Sequence, residues 1–416
     1  MNKDLIKYII AENQKIISEI DFYERDYKFE DNLNYVLVGL RRAGKSYLMY
    51  QIIRSILNRG HKMSEILYFN FEDDRIDGLK LEDLDLIKTC YEEMFDYKPF
   101  IFLDEIQNID RWEKFARRLA DQKYRVYITG SNAKMLSSQI STTLGGRFMV
   151  KEVFPYSFSE FLKPLNINTE EKNFIYSQHS NILKYSEKYF KNGGLPEITN
   201  IVDKRDWLSN LFNKIFFGDL IARYNIRNTE ALKILIKKLA ENVKQPSSYS
   251  RLANMISAAG RKINLETVSD YLNYLSESWL ILPVENIAAK IADKVSNKKY
   301  YFIDNGILNL FLMNSDTSLL ENIVAVNLIR RYKTEVFYYM SGVEVDFFVR
   351  SKKTAVQVSY SISDPQTRER EVKALLTIFS HFEADRLIII TKEEEETIQE
   401  NGKTIEVIPL WKFLLM

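Results

Sequence analysis

Short apolar runs alternate with amphipathic stretches over the first 155 residues of the chain. The strand-like runs lie at 35–38, 66–70, 100–103, 125–129 and 148–154. The helix-like segments between them lie at 47–57, 81–95 and 112–119. Buried strands separated by helices are typical of a parallel sheet that is covered on both faces. Residues 1–30 precede this pattern and are predicted as an amphipathic helix and a linker.

The hydrophobic pattern changes near Pro155, so we expect an α/β protein with four parts, at 1–30, 31–155, 156–285 and 286–416. Residues 156–245 have mostly helical spacing, and 247–285 contain two short helices, a turn and an apolar run. This arrangement predicts a winged helix-turn-helix. From about 300 the pattern is again mixed, with helices at 319–331 and 366–381. The strands of this last part are expected at 335–339, 344–349, 354–360, 386–391 and 404–408.

The composition excludes several classes of protein. Lys+Arg of 58 against Asp+Glu of 57 leaves almost no net charge, so any DNA contact is expected from local patches. Cys90 is the only cysteine and there are three histidines, which excludes disulfide frameworks and Cys/His zinc sites. No apolar run approaches the length of a membrane span, so we expect a cytoplasmic protein without a membrane partner.

The segment GLRRAGKS, from Gly39 to Ser46, follows the first apolar strand and opens a helix. It satisfies the pattern G-x-x-x-x-G-K-[ST], in which successive backbone N–H groups converge on phosphate oxygens. Lys45 is expected to reach the β- and γ-phosphates of ATP, and the Ser46 hydroxyl to bind Mg²⁺. The predicted nucleotide contacts are Gly39, Leu40, Arg41, Arg42, Ala43, Gly44, Lys45, Ser46 and Tyr47.

An acidic pair follows the third apolar strand in the segment FIFLDEI. Asp104 stands at the strand end and is expected to hold Mg²⁺ directly or through water. Glu105 is the candidate general base for the attacking water. The next strand ends near Ser131 and Asn132, which either orient water beside the γ-phosphate or cap a helix. Arg147 is a candidate arginine finger, in cis or in trans, or a surface arginine.

Several segments in this order resemble one large prokaryotic family of AAA-type ATP-binding proteins, similar to archaeal STAND-related ATPases. The segments are GLRRAGKS, YFNFEDDR, FIFLDEIQNIDRWEKFARRL, ITGSNAKML, GGRFMVKEVFPYSFSEFL, KNGGLPEI, YYFIDNG and LENIVAVNL. The resemblance covers nearly the whole chain. It implies an N-terminal P-loop ATPase, a winged-helix middle and a restriction-endonuclease-like C-terminal domain of uncharacterised function. The resemblance does not supply a substrate.

The predicted helix-turn-helix admits two interpretations. Its second helix, about 265–276, exposes Glu266 and Asp270 and carries no basic residue, which makes a poor surface for phosphates. Arg251, Arg261 and Lys262 lie at its edge and are able to contact a nucleic-acid backbone. The element therefore binds DNA, or it packs against protein and relays the nucleotide state.

The C-terminal order of helix, three strands, helix and two strands is that of the restriction-endonuclease-like fold. In active members of that fold three polar groups converge on Mg²⁺, and a lysine positions the nucleophile. Glu321, Asp346 and Gln357 match the polar groups, whereas Ser359 occupies the lysine position. Lys353 and Lys373 are the candidates for a substitute lysine. The domain is thus an inactive scaffold or DNA-shape reader, or a nuclease with a displaced lysine.

Together these features favour a Mg²⁺-dependent ATPase that acts as a switch or motor coupled to a nuclease-like module. Two alternatives remain. One is a regulator that turns ATP over slowly and binds DNA or a protein partner, and the other is an ATP-gated DNA endonuclease. A homo-oligomer is expected if Arg147 acts in trans.

Overall fold

The chain divides into two compact units. The computed structural model describes residues 2–131, 142–167, 169 and 177–416. The first unit comprises Met1–Phe154 and Glu277–Trp279, and the second comprises Pro155–Ser276 and Leu280–Met416. The division lies beside the boundary expected at 155/156, and none falls at 285/286. The four predicted parts stay predictions.

The first unit contains a five-stranded parallel sheet with the strand order β2-β3-β4-β1-β5. Its strands are β1 (Asn34–Val38), β2 (Ile66–Asn70), β3 (Phe100–Asp104), β4 (Arg125–Gly130) and β5 (Phe148–Glu152). Its helices are α1 (Lys3–Glu19), α2 (Lys45–Asn58), α3 (Leu84–Met94) and α4 (Trp112–Asp121). The parallel sheet of a P-loop nucleotide-binding fold is therefore confirmed.

The strands of this sheet are apolar because both faces are covered. All five residues of β1 are buried, and so are four of the five in β2 and in β3. Helices on both faces leave no position for a solvent-facing side chain, which explains the continuous apolar runs in the sequence. Since the strands are parallel, the carboxyl ends of β1, β3 and β4 meet at one edge of the sheet.

Helices follow the first unit along the chain. They are α5 (Phe158–Leu162), α6 (His179–Asn192), α7 (Lys204–Lys214), α8 (Thr229–Glu241), α9 (Tyr249–Ala258) and α10 (Leu265–Glu277). A π-helix, Ile215–Ala222, continues directly from α7. The described part of the chain includes no helix with both the length and the apolar character needed to cross a membrane.

The second unit contains a nine-stranded sheet with the order β13-β14-β12-β11-β10-β9-β7-β8-β6. Its strands are β6 (Ser247–Ser248), β7 (Ile281–Asn286), β8 (Asn297–Phe302), β9 (Val336–Ser341), β10 (Val343–Val349), β11 (Thr354–Val358), β12 (Arg386–Thr391), β13 (Glu396–Glu400) and β14 (Lys403–Pro409). The helices between and after them are α11 (Ile291–Ser296), α12 (Asn305–Asn309), α13 (Asp316–Tyr332), α14 (Pro365–Thr377) and α15 (Leu410–Leu415). The mixed α/β character expected for this region is confirmed.

Strand β7 joins two parts of this sheet. Its first residues pair with β8, while Glu285 and Asn286 pair with Phe337 and Tyr338 of β9. This change of partner brings Tyr301 of β8 against Phe347 of β10, with ring centroids 5.5 Å apart. The sequence pattern indicated the apolar run that becomes β7, but not its pairing with β9.

Asn322 fastens α13 to β8 inside this unit. Its side chain is fully buried, accepts a hydrogen bond from the Phe302 backbone N–H at 2.7 Å and donates one to the Phe302 carbonyl at 2.8 Å. It also donates to the side-chain oxygen of Asn305 at 2.9 Å. One amide thereby satisfies both backbone groups of a buried residue, which apolar side chains cannot do.

Asn322→Ala is expected to lower the free energy of unfolding by about 2–3 kcal/mol, because buried backbone groups lose their partners. Denaturant unfolding of the full chain measures this, and Asn181→Ala is the matched control on an exposed helical position. Equal unfolding midpoints for the two variants would show that Asn322 does not stabilise the contact between α13 and β8.

Candidate functional site

The loop between β1 and α2 has the backbone geometry of a phosphate-binding loop. Arg42 and Gly44 adopt positive φ of 62° and 90°, and α2 begins directly after Gly44. At Gly39 a Cβ atom would lie 2.1 Å from the carbonyl oxygen of Val153, so only glycine fits there. The N-terminus of α2 thus faces the loop and favours an anion, as the sequence predicts.

Lys45 lies buried beneath this loop with a side-chain exposure of 3%. Its Nζ lies 3.3 Å from the Gly39 carbonyl oxygen and 3.2 Å from the Leu40 carbonyl oxygen. It also pairs with the Glu105 carboxylate at 3.3 Å. Two carbonyl groups and one carboxylate thus surround the ammonium.

Asp104 stands at the carboxyl end of β3 and is almost inaccessible to solvent. The Tyr68 hydroxyl donates to one carboxylate oxygen, and the Thr129 hydroxyl donates to the other. The Ser46 hydroxyl forms a further hydrogen bond with the same carboxyl group. Burial, followed by the charge of Glu105, raises the pKa of Asp104. The carboxyl group is therefore held in one orientation by neighbouring hydroxyls.

Glu105 has an unusual backbone conformation and a charged partner. Its φ of 53° is left-handed, and its N–H donates to the Thr129 hydroxyl at 2.8 Å. Gln107 donates to its carboxylate at 2.5 Å. Burial opposes ionisation, but the charge of Lys45 and the hydrogen bond from Gln107 outweigh burial and lower the pKa of Glu105. The strained turn aims an ionised carboxylate at Lys45.

The residues predicted after β4 are only partly described. Ser131 is buried, and its hydroxyl lies 3.5 Å from the Gln107 side-chain nitrogen that also reaches Glu105. Asn132 lies outside the described residues. Thr129, two residues before Ser131, contacts both acids and was not singled out from the sequence. The signal was present, since a threonine ends a strand that is parallel to β3.

The structure does not bring Arg147 to this site. The residue after it, Phe148, pairs with Asn34 at the first position of β1, whereas the phosphate loop follows the last position of β1. Arg147 therefore lies at the opposite edge of the sheet, where its side chain bonds Asp121 and the Gly145 carbonyl. This position disagrees with a role in cis. A role in trans stays a prediction.

The other predicted loop contacts differ in exposure. Leu40 and Ala43 are buried and support the loop from below. The guanidinium of Arg41 pairs with Glu72 at 3.0 Å, and Tyr47 is half exposed on α2. Backbone geometry at these positions suits a nucleotide, whereas their side chains have partners or face outward.

The chemistry of the donor set at the loop fits Mg²⁺. The Ser46 hydroxyl and the Asp104 carboxylate are hard oxygen ligands that already share a hydrogen bond. Mg²⁺ in phosphate sites takes one or two protein ligands and completes its shell with phosphate oxygens and water. Ser46 and Asp104 are thus the residues that would hold the ion.

A second cluster of charged groups lies in the second unit. Glu321 on α13, with Glu344 and Asp346 on β10, surrounds the Nζ of Lys299 on β8. The three ion-pair distances to Lys299 are 3.1 Å for Glu321, 2.8 Å for Glu344 and 3.4 Å for Asp346. Tyr301 donates a further hydrogen bond to Glu321 at 2.8 Å. Lys299 and Glu344 were not among the residues predicted from the sequence.

Gln357 and Ser359 were expected to face this cluster, but both form hydrogen bonds elsewhere. The Gln357 side-chain oxygen accepts from the Asp346 backbone N–H at 2.7 Å, and its nitrogen donates to Glu371 at 2.7 Å. The Ser359 hydroxyl donates to the Ser361 carbonyl at 2.9 Å. The amide of Gln357 therefore fixes the backbone of β10 rather than pointing at Glu321.

The two lysines proposed from the sequence as substitutes for the missing one lie away from the acid cluster. Lys353 pairs with Glu383 at 2.5 Å on the surface, and Lys373 is exposed on α14. Neither contacts the acid cluster. Lys299 does so from a strand 47 residues before Asp346 in sequence. Its signal was a lysine that alternates with Tyr301 at the start of the apolar part of the strand.

Burial and neighbouring charges shift the pKa values of Lys299 and Asp346 in this cluster. Burial opposes the charge on Lys299, but the surrounding negative groups, Glu321 first, outweigh burial and hold its pKa well above the ordinary value. Burial, with the charge of Glu321 next, raises the pKa of Asp346 to about 8. A proton on Asp346 at neutral pH reduces the excess of negative charge around a single ammonium.

The fold and the loop define a P-loop nucleotide-binding protein, and comparison with known families agrees. Residues 31–162 match the family described as AAA domain, which is an ATPase class. Residues 183–318 match a domain of unknown function, DUF8612. Lys299 lies within the second matched range, whereas Glu321, Glu344 and Asp346 lie beyond both ranges.

The chain belongs to the same family as the uncharacterized protein MJ1544 of Methanocaldococcus jannaschii. The two are 34% identical over 99% of this chain and 96% of that protein. An uncharacterized protein of Haemophilus influenzae is 29% identical over 97% of this chain and all of its own length. Among solved structures, the Walker-type ATPase paby2304 of Pyrococcus abyssi matches with a TM-score of 0.39 and 15% identity, over 74% of this chain and 95% of that one.

Thermal stability is expected to depend on pH through Asp346. Because its pKa is raised to about 8, its protonated form stabilises the folded state. This contribution is complete below about pH 4, where the carboxyl group of an unfolded chain titrates, and is lost as the pH rises towards 8. Relative to the wild type, Asp346→Asn should gain melting temperature progressively across this range.

The control for this experiment is Asp385→Asn, which changes an exposed aspartate in the same unit. Its melting curve should follow that of the wild type at every pH. Parallel curves for the wild type and Asp346→Asn from pH 4 to 9 would contradict the assignment.

Proposed function

We propose that this chain binds ATP with Mg²⁺ and hydrolyses it at the carboxyl edge of the parallel sheet. One observation carries the proposal. The Lys45 ammonium lies 3.3 Å from the Glu105 carboxylate, and the adjacent Asp104 is hydrogen bonded to Ser46. A phosphate-binding lysine, two metal ligands and a general base thus occupy one place, which is what phosphoryl transfer to water requires. The match to the AAA domain supports the same conclusion.

ATP binding changes the partners of Lys45. Phosphate oxygens replace the carbonyl groups of Gly39 and Leu40 and compete with Glu105 for the ammonium. Bound Mg²⁺ neutralises charge on the phosphates, and Ser46 and Asp104 would hold it. Once Lys45 turns to phosphate, the carboxylate of Glu105 is free to accept a proton.

The reaction follows from the position of that carboxylate. Glu105 accepts a proton from water, the water oxygen forms a bond to the γ-phosphorus, and the bond from that phosphorus to the bridging oxygen breaks. The bridging oxygen leaves with its electron pair on ADP. Gln107, which bonds Glu105 and reaches the Ser131 hydroxyl, orients the base. Ser131 and Asn132, the latter outside the described residues, remain the candidates for orienting water beside the γ-phosphate.

Arg147 is proposed to act on the nucleotide of a second copy of the chain. Its position at the amino edge of the sheet supports this, because the arginine lies away from its own phosphate loop. A guanidinium placed in trans stabilises the charge of the transferred phosphoryl group. Hydrolysis would then depend on assembly into a homo-oligomer.

We further propose that nucleotide state is relayed to the second unit through a winged helix-turn-helix. Helices α9 and α10 are followed by the antiparallel pair β7 and β8, which is the element order of such a module. Strand β7 also pairs with β9, so the β7–β8 pair and strands β9 to β14 belong to one sheet. The acidic surface of α10 favours a protein partner over DNA for this element.

The second candidate is a regulator that holds ATP with little turnover and binds DNA or protein. The ion pair between Glu105 and Lys45 favours it, because a base that stays paired does not accept a proton. Salt-dependent retention on DNA without phosphate release would distinguish the regulator from the switch.

Glu105→Gln is expected to lower the rate of phosphate release by at least about 100-fold while ATP remains bound, because the base is lost and the phosphate contacts are kept. The measurement is steady-state phosphate release with Mg²⁺, alongside equilibrium ATP binding. Glu82→Gln, at an exposed position of the same unit, is the matched control and should turn over like the wild type. Undiminished release by Glu105→Gln would overturn the assignment of the base.

A further inference from the structure

The acid cluster of the second unit stands where the restriction-endonuclease-like fold would place a divalent metal. The fold implies that Glu321, Asp346 and Gln357 share such an ion. The side-chain amide of Gln357, however, is used by the Asp346 backbone and by Glu371. In the described ranges no group of three His, Cys, Asp or Glu side chains is arranged to hold a metal ion. The residues present therefore do not fit the implied metal.

Lys299 occupies the position between the carboxylates. Its Nζ lies within 3.4 Å of oxygens from Glu321, Glu344 and Asp346, and its side chain has no exposed surface. Without the ammonium, three acids that converge on one point would repel one another and draw a divalent cation between them. The ammonium is a cation with three donors, so it satisfies the same oxygens without an ion from solution.

The burial of Lys299 distinguishes this arrangement from that of a catalytic lysine. A lysine that positions a nucleophile must reach the water or the scissile phosphate, which arrive from solvent. The side chain of Glu344 is 39% exposed and that of Asp346 is 13% exposed, whereas that of Lys299 is 0% exposed. Lys299 thus lies on the protein side of the acids, where no substrate reaches it.

Two neighbours hold Lys299 in this place. Tyr301, two residues further along the same face of β8, donates to the same Glu321 oxygen that pairs with the ammonium. Asn322, next to Glu321 on α13, bonds both backbone groups of Phe302 in β8. Strand and helix are therefore tied together on either side of the ion pair. Removing one partner of such a buried pair leaves an uncompensated charge and is strongly destabilising.

We propose that Lys299 is a built-in cation that takes the place of the divalent metal in a nuclease-like fold. The acid cluster is then a closed ion centre that ties β8 to α13 and β10. A monovalent ammonium neither generates hydroxide from water nor bridges to a phosphate as a metal does. The second unit accordingly serves in binding and relay and does not cleave phosphodiester bonds with a metal. This assignment is separate from the ATP site, which its test leaves unaltered.

The test removes the ammonium and keeps an unbranched side chain that is one atom shorter. Lys299→Met should create a vacant carboxylate site that binds about one Mn²⁺ per chain, and this binding should be lost in Lys299→Met with Asp346→Asn. Lys298→Met is the matched control, since the neighbouring lysine pairs with Glu285 at 2.9 Å on a more exposed position. Equilibrium dialysis of nucleotide-free full chain with Mn²⁺ gives the stoichiometry.

The wild type and Lys298→Met should bind no Mn²⁺ that depends on Asp346 and should leave supercoiled plasmid intact with Mg²⁺ or Mn²⁺. Asp346-dependent Mn²⁺ binding by the wild type would overturn the proposal. So would plasmid nicking that Asp346→Asn abolishes, or a folded Lys299→Met chain without a new Mn²⁺ site. The comparison of wild type with Asp346→Asn decides the matter even where Lys299→Met fails to fold.

Discussion

The ion pair between Lys45 and Glu105 is the interaction on which the first unit's chemistry depends. The two residues come from different strand ends, and only a parallel sheet brings the carboxyl ends of β1 and β3 to one edge. The left-handed backbone at Glu105 and the hydrogen bond to Thr129 then turn the carboxylate towards the loop. Without a nucleotide, each group neutralises the other in a poorly solvated place. In the proposed ATP complex the phosphates compete for the same ammonium, so nucleotide binding and release of the Glu105 carboxylate are linked.

A second buried lysine, Lys299, has partners that a ligand from solvent cannot replace. Lys45 shares its ammonium with two loop carbonyls and one carboxylate, and phosphate is able to replace them. Lys299 is surrounded by three carboxyl groups and has no exposed surface. The same side chain thus serves a ligand site in one unit and a fixed ion centre in the other. The difference lies in access from solvent and not in the residue type.

Much of the first unit was predictable from sequence because its signals are local. The strands are short continuous apolar runs, and the phosphate loop has a fixed spacing from Gly39 to Ser46. Contacts across the sheet were harder to predict. Tyr68, Thr129 and Gln107 meet the acid pair only through strand order and a turn. The position of Arg147 likewise depends on the direction in which β5 runs, which its local sequence does not specify. In the second unit the elements were predictable, but Lys299 reaches Asp346 only because β7 changes partner between β8 and β9.

The most direct test of the account is the affinity of the full chain for ATP, ADP and AMP, measured with Mg²⁺ in the wild type and in Lys45→Ala. If Lys45 contacts the β- and γ-phosphates as proposed, ATP should bind at least about 100-fold more tightly than AMP to the wild type. This preference should disappear in Lys45→Ala. Equal affinities for ATP and AMP in the wild type, or an ATP affinity that Lys45→Ala leaves unchanged, would contradict the account.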